Sequence, residues 1–153
     1  MNIANLTDYP QSIQQIAEWH YREWHELYPE KMLSDFERDL EESLNSETIP
    51  QTWLLIDADE ICGTASLLKH DMTTNIELSP WLANIFIRPD KRGMGLGKYL
   101  VAAVMREAAM LRIPTLYLFT EDQRAFYEKL GWSLLKNQIY QGKAVAIMRA
   151  DLR

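Results

Sequence analysis

The chain has 153 residues, 47% of them apolar, with 22 acidic against 16 basic side chains and a formal net charge of −6. That length suits one domain, residues 1–153, around one core; the acidic balance argues against nucleic-acid binding and favours a cationic partner such as an amine. A lone cysteine, Cys62, excludes an intramolecular disulfide framework and suits a reducing, cytoplasmic setting, while no bilayer-length apolar stretch, signal-peptide pattern or metal-ligand spacing is visible.

Residues 3–6 read as a short first strand. A helix opening at Tyr9-Pro10-Gln11-Ser12 carries Ile13, Ile16, Ala17, Trp24 and Leu27 and stops at Tyr28-Pro29. Trp19, His20, Tyr21, Trp24, His25 and Tyr28 make it unusually aromatic, as either core packing or a cation-binding wall requires. A second helix is predicted from Ser34, an N-cap with Glu37 at the capping-box position, to Leu44. Residues 53–57 and 61–67 flank Ala58-Asp59-Glu60 as a hairpin, with Cys62 a small buried hydrophobe inside it. His70-Asp71 falls on the next loop and has no serine or cysteine motif to partner it.

Residues 81–87, rich in aromatic and β-branched side chains, form a strand closed by Arg88-Pro89-Asp90. Leu96, Leu100, Val101, Val104, Ala108 and Leu111 then recur at helical spacing. Residues 113–120 are a buried strand with Pro114 tolerated at its start, and residues 123–130 a short helix ended by Gly131. The tail pairs residues 132–139 with 144–148 across Gln141-Gly142. The order β-α-α-β-β-β-α-β-α-β-β defines an α+β chain with a mixed sheet.

Between the 81–87 strand and the helix after it lies Arg92-Gly93-Met94-Gly95-Leu96-Gly97, followed by Lys98. A strand, a glycine loop and a helix in that order aim backbone N–H groups and a positive helix end at one anion. Arg92 and Lys98 add charge at its edges, so the segment is read as a pyrophosphate site. A P-loop is excluded, because Arg92 stands where its first glycine belongs and Tyr99 follows Lys98. The dinucleotide fingerprint fails too, since its third glycine would fall on Lys98 or Leu100. The pattern present, Arg92-x-x-Gly95-x-Gly97, resembles the coenzyme A pyrophosphate loop of the GNAT superfamily of acyl-CoA-dependent N-acyltransferases. Phe126-Tyr127-x-x-Leu130-Gly131-Trp132 resembles that superfamily's second signature, with Trp132 in place of the usual Phe. The resemblance covers the chain from about Trp53 to the C-terminus.

The resemblance implies a mixed, mostly antiparallel sheet of six to seven strands, about four flanking helices and a splayed central strand pair. It implies acetyl-CoA as donor, direct transfer to an amine in a ternary complex, no covalent enzyme intermediate and no metal. Backbone groups of Ile85, Phe86 and Ile87 would hold the pantetheine and polarise the thioester, and Arg92, Gly93, Met94, Gly95, Leu96, Gly97 and Lys98 would hold the pyrophosphate. Tyr127 stands where relatives place a tyrosine near the coenzyme sulfur. A phenol, with a pKa of about 10, can protonate a departing thiolate, or it can simply pack against the coenzyme.

Many relatives carry a glutamate base on the strand before the loop, yet residues 81–87 hold no carboxylate. Glu77 is the candidate base, directly or through water, or else a solvated loop residue. Glu121, at a strand end, and Glu23 and Trp24, on a helix that walls the acceptor pocket in relatives, are candidate substrate-binding residues. The acceptor is read as a small-molecule amine, with a peptide α-amine or a non-catalytic acyl-CoA-binding module as alternatives. The resemblance leaves a homodimer open and implies neither nucleic acid nor membrane.

Overall fold

The computed structural model describes residues 1–45 and 47–152. Seven strands form one sheet: β1 (Asn2–Asn5), β2 (Gln51–Asp57), β3 (Glu60–Leu68), β4 (Trp81–Ile87), β5 (Thr115–Thr120), β6 (Ser133–Tyr140) and β7 (Lys143–Asp151). Their spatial order is β1-β2-β3-β4-β5-β7-β6. All neighbours are antiparallel except β4 and β5, which run parallel and share a single register pair, Trp81 with Tyr117. Among the described residues four α-helices flank the sheet: α1 (Ile13–Trp24), α2 (Leu33–Glu42), α3 (Leu96–Met110) and α4 (Arg124–Glu128). This is the expected α+β architecture with its splayed central pair.

The residues of β2 explain why its apolar run is continuous rather than alternating. Trp53 and Leu55 pack with Leu100, Val101, Val104 and Ala108 of α3, while Leu54 and Ile56 pack with Ile16, Ala17, Phe36 and Leu40 of α1 and α2. A strand covered on both faces has no solvent side to populate with polar residues. Under the loop of residues 69–80, Met72, Trp81, Tyr140 and Ile147 build a further cluster.

Both hairpin turns use two consecutive left-handed residues, Ala58 and Asp59 between β2 and β3, and Gln141 and Gly142 between β6 and β7. That geometry matches the twist of the strands it joins. Glu60 therefore belongs to β3 rather than to the turn. Helix α2 starts earlier than its Ser34 expectation, because Asp35 supplies the cap: its carboxylate accepts from the Met32 N–H at 2.8 Å. Helix α1 ends at Trp24, and residues through Tyr28 continue only as turns, with Leu27 N–H donating to the Trp24 carbonyl at 3.0 Å. Helix α4 is shorter than expected, and Gly131 ends its turn at φ +96°.

Two irregularities place the site. Thr64 pairs with Phe86 but Ser66 pairs with Ala83, so Asn84 and Ile85 both stand opposite Ala65. This is a β-bulge, with Asn84 held at φ +54°. Beside it, a Cβ on Gly63 would lie 2.8 Å from the Phe86 carbonyl oxygen and 2.7 Å from Ile87 Cδ1. Only glycine lets β3 approach β4 so closely there.

Candidate active site

Beyond the Trp81–Tyr117 pair, β4 and β5 diverge. A cavity of about 330 Å³ fills the gap, lined by Asn84 and Ile85 of the bulge, Leu118 and Thr120 of β5, and Tyr127 of α4. The bulge turns backbone from the sheet ladder toward this opening, where it can pair with a bound group instead of a strand.

At the end of β4, residues 92–98 turn into α3. Gly93 and Gly95 take left-handed conformations, φ +81° and +80°, and Gly95 caps α3 without a side-chain hydrogen bond to the helix. The first N–H groups of α3 are thus left for an anion. Gly97, in the first turn, is half-buried, and a Cβ there would lie 3.7 Å from the Phe126 ring and 3.9 Å from Ile87 Cγ1. Met94 and Lys98 are exposed beside it and Leu96 is half-buried.

Arg92 stands at the loop's edge, with its side chain drawn toward β4 and α1. Its Nε donates to the Ile87 carbonyl at 2.7 Å, its Nη2 reaches Glu23 at 3.3 Å, and its guanidinium lies 5.4 Å from the centre of the Phe86 ring. The side chain ties the loop to β4 and α1, while Gly93, Gly95 and Lys98 are exposed.

Of the three β4 residues, Ile85 lines the cavity, whereas Phe86 turns to the opposite face and packs on Trp19, His20 and Trp24. Ile87 packs against the α3 side of the core. Tyr127 is 7% exposed, wedged edge-on between Phe126 at 5.0 Å and Trp132 at 6.1 Å. Burial raises its phenol well above the ordinary value, so it stays protonated at neutral pH. None of the hydrogen bonds among the described residues involves its hydroxyl.

Glu23, Trp24 and Glu121 come together on the wall of this cavity, with Asp122 beside them. Glu23 is paired with Arg92, and Glu121 lies 4.0 Å from Lys143. Glu77 sits elsewhere: it is exposed on the loop before β4 and is not among the residues lining the cavity. Tyr28, one of the aromatic residues expected to form either core or a cation-binding wall, lines it, as do Asn84 and Asp71, which sequence reasoning did not single out for the site. Nothing in sequence spacing joins Tyr28 to Asp71, yet the Tyr28 hydroxyl reaches the Asp71 carboxylate at 3.4 Å.

Behind the bulge, His20 is 2% exposed. Its Nε2 lies 2.8 Å from Thr64 Oγ1, which in turn donates to the Asn84 carbonyl at 3.3 Å. With Thr64 donating onward, Nε2 carries the proton. Burial, with Lys31 nearby, lowers the imidazole to about 3, so it is neutral at physiological pH. A buried chain of side chains thus fixes the bulge from α1.

A glycine loop at a helix start, a bulged strand splayed from its parallel neighbour and a tyrosine over the gap are the features that a site for acyl-coenzyme A transfer would combine. A sequence model of the acetyltransferase (GNAT) family matches residues 13–132, and the chain belongs to that family, the acetyl-CoA-dependent N-acetyltransferases. Its fold is similar to that of an aminoglycoside 6'-acetyltransferase type Ii, with TM-score 0.76 and 22% identity over 100% of this chain and 98% of that one. An aminoglycoside 6'-N-acetyltransferase complexed with coenzyme A gives TM-score 0.74 and 19% identity, again over 100% and 98%. An acetyltransferase of GNAT family from Staphylococcus aureus gives 0.68 and 19%, over 99% of each chain. No curated protein sequence matches significantly. Among the described residues no helix is long and apolar enough to cross a membrane, and no group of three or more His, Cys, Asp or Glu is placed to hold a metal ion.

Acetyl-CoA is the acyl donor of such enzymes. The open N–H groups of α3 and the left-handed glycines before it fit its phosphates, and the β4–β5 gap fits an extended arm that needs backbone partners.

Proposed function

We propose that this chain, as a single domain, moves an acetyl group from acetyl-CoA to a primary amine of a small, polycationic molecule, by direct transfer with both substrates bound. The observation that carries this reading is the cavity between β4 and β5. It is lined by Tyr127 on one side and by the carboxylates of Glu23, Asp71, Glu121 and Asp122 on others, with no lysine or arginine among the described residues in its lining. A wall of that charge concentrates ammonium groups. Two of the structural relatives act on aminoglycosides, which are polyamines, and that chemistry suits the wall.

In this reading Asn84 and Ile85 offer backbone to the acyl arm, residues 93–98 hold the phosphates, and Tyr127 gives its proton to the departing sulfur. Glu23, Trp24 and Glu121 hold the acceptor. The test is free-thiol release from acetyl-CoA against polyamines, aminoglycosides, amino acids and short peptides. Release that depends on a polyamine or aminoglycoside supports the proposal. Release with peptides alone moves the acceptor to an α-amine, and acetyl-CoA binding without any release points to a non-catalytic module.

A further inference from the structure

A second cavity, of about 410 Å³, lies on the α1–α2 side of β3 and β4. It shares three residues with the first: Tyr28, Asp71 and Asn84. Asp71 is therefore the one carboxylate that borders both. We propose that Asp71 takes the proton from the acceptor ammonium, so that the nitrogen can attack the acetyl group. This rests on the N-acetyltransferase reading above.

The need for such a group follows from the chemistry, because a protonated amine has no lone pair with which to attack. Residues 81–87 carry no carboxylate, and Glu77 is exposed outside the cavity. Glu23 and Glu121 border it but already have cationic partners in Arg92 and Lys143, and Asp122 is exposed. Asp71 is half-buried and lines the same cavity as Tyr127, so a proton acceptor and a proton donor share one chamber. Tyr28 approaches its Oδ1, and no hydrogen bond among the described residues occupies Oδ2.

Burial raises the Asp71 carboxyl to about 7, against the opposing pull of Lys31 and the Tyr28 hydroxyl. A base that titrates near the working pH can both take a proton and give it up again. Tyr28 and Lys31, from the α1–α2 connection, face it, with Asp39 of α2 and Tyr140 of β6 nearby. His20 and Glu23 of α1, Glu42 of α2, His70 and Lys69 beside it, and Glu121, Asp122 and Tyr127 across the gap complete the surrounding titratable groups. The second cavity, bordered by Lys31, Asp39, Glu42, Lys69 and His70 as well as by apolar residues such as Phe36 and Leu40, gives the proton a way to solvent.

The step balances. Asp71 accepts one proton from the ammonium, and the freed lone pair forms the N–C bond to the acetyl carbon. The C–S bond breaks with its electron pair on sulfur, and the Tyr127 hydroxyl protonates that sulfur. The second nitrogen proton restores Tyr127, and the Asp71 proton passes to solvent. One ammonium and one thioester thus give one amide, one thiol and one proton.

The test is the pH dependence of kcat with saturating acetyl-CoA and the fastest amine of the panel, in wild type, Asp71→Asn and Tyr28→Phe. Wild-type kcat should fall on the acid side with a midpoint near 7. Asp71→Asn should lower kcat by about 100-fold and lose that limb, its rate instead rising with the free-amine fraction. Tyr28→Phe should move the limb to higher pH, because it removes a donor that stabilises the carboxylate. Coenzyme A affinity measured by calorimetry should match wild type in both variants. Wild-type turnover and an unchanged limb in Asp71→Asn, or an unmoved limb in Tyr28→Phe, would overturn the assignment while the acetyltransferase reading stood. No amine-dependent release from the wild-type protein would overturn both.

Discussion

Tyr127 is held by its ring and left open at its oxygen. Phe126 and Trp132 pack edge-on against it, and the Trp132 N–H donates to its carbonyl at 3.1 Å, so the backbone beneath is fixed as well. Replacing it with Phe keeps the packing and removes only the proton. Tyr127→Phe should therefore lower kcat by about 100-fold while the dissociation constant for acetyl-CoA is unchanged, as steady-state kinetics and calorimetry would read. A parallel fall in affinity would instead mean that the phenol only packs against the coenzyme.

His20 and Asp71 make opposite demands on pH at the same scale. The His20 imidazole titrates at about 3 folded against 6.5 unfolded, so its contribution is present at neutral pH and lost as the pH falls from 6.5 toward 3. Asp71 is raised from 3.8 to about 7, so the folded state holds its proton longer, and its contribution is lost as the pH rises through that window. The two slopes oppose each other between 3.8 and 6.5. Relative to wild type, His20→Phe should tilt the stability–pH curve downward with rising pH there, and Asp71→Asn should tilt it upward. Each tilt approaches about 1.4 kcal/mol per pH unit, measured by urea unfolding at several pH values.

At the scale of elements, the glycines divide into two kinds. Gly63 is required by proximity, since a Cβ would meet the Phe86 carbonyl oxygen at 2.8 Å, and backbone cannot step aside as a flexible side chain can. Gly63→Ala should cost about 1–3 kcal/mol and displace the bulge, so thermal unfolding and turnover should fall together. Gly95 has open space around it but sits at φ +80°. Gly95→Ala should cost about 1 kcal/mol of strain and weaken acetyl-CoA binding, with kcat at saturation little altered.

Elements were legible in the sequence where a local rule governs them. The α3 spacing, the two hairpin turns and the Gly131 stop are each written in a few adjacent residues. The α2 start was misplaced because two acidic-cap solutions compete within a few residues, and Asp35 reaches the Met32 N–H where Ser34 does not cap. The bulge at Asn84 was invisible, since an extra residue in one strand is defined only by its partner. The glycine loop and Tyr127 carried recognisable patterns. Asp71 carried none: its meaning comes from Tyr28, 43 positions away. The side chain of Arg92 likewise depends on Glu23, 69 positions away.

For the whole molecule, net charge and site charge have the same sign. The formal charge is −6, and the cavity wall adds its carboxylates where the proposed function places the acceptor. Attraction of a polycationic amine should then weaken with added salt, as the screening length falls to about 10 Å near 0.1 M. The expected outcome is a KM for the amine that rises with ionic strength while kcat holds. An uncharged acceptor would show no such rise.

The single register pair between β4 and β5 leaves the seven strands as two ladders, β1 to β4 and β5-β7-β6, joined at one rung. Elsewhere in the sheet, neighbouring strands share several rungs. An extended donor lying in that gap would act as a spacer strand, completing by its own amides what the polypeptide leaves open. Binding would then mend the sheet, and the donor would be part of the fold as well as its cargo. Amide hydrogens of residues 83–87 and 118–120 should exchange more slowly once acetyl-CoA is bound, with those of β2 and β3 little changed.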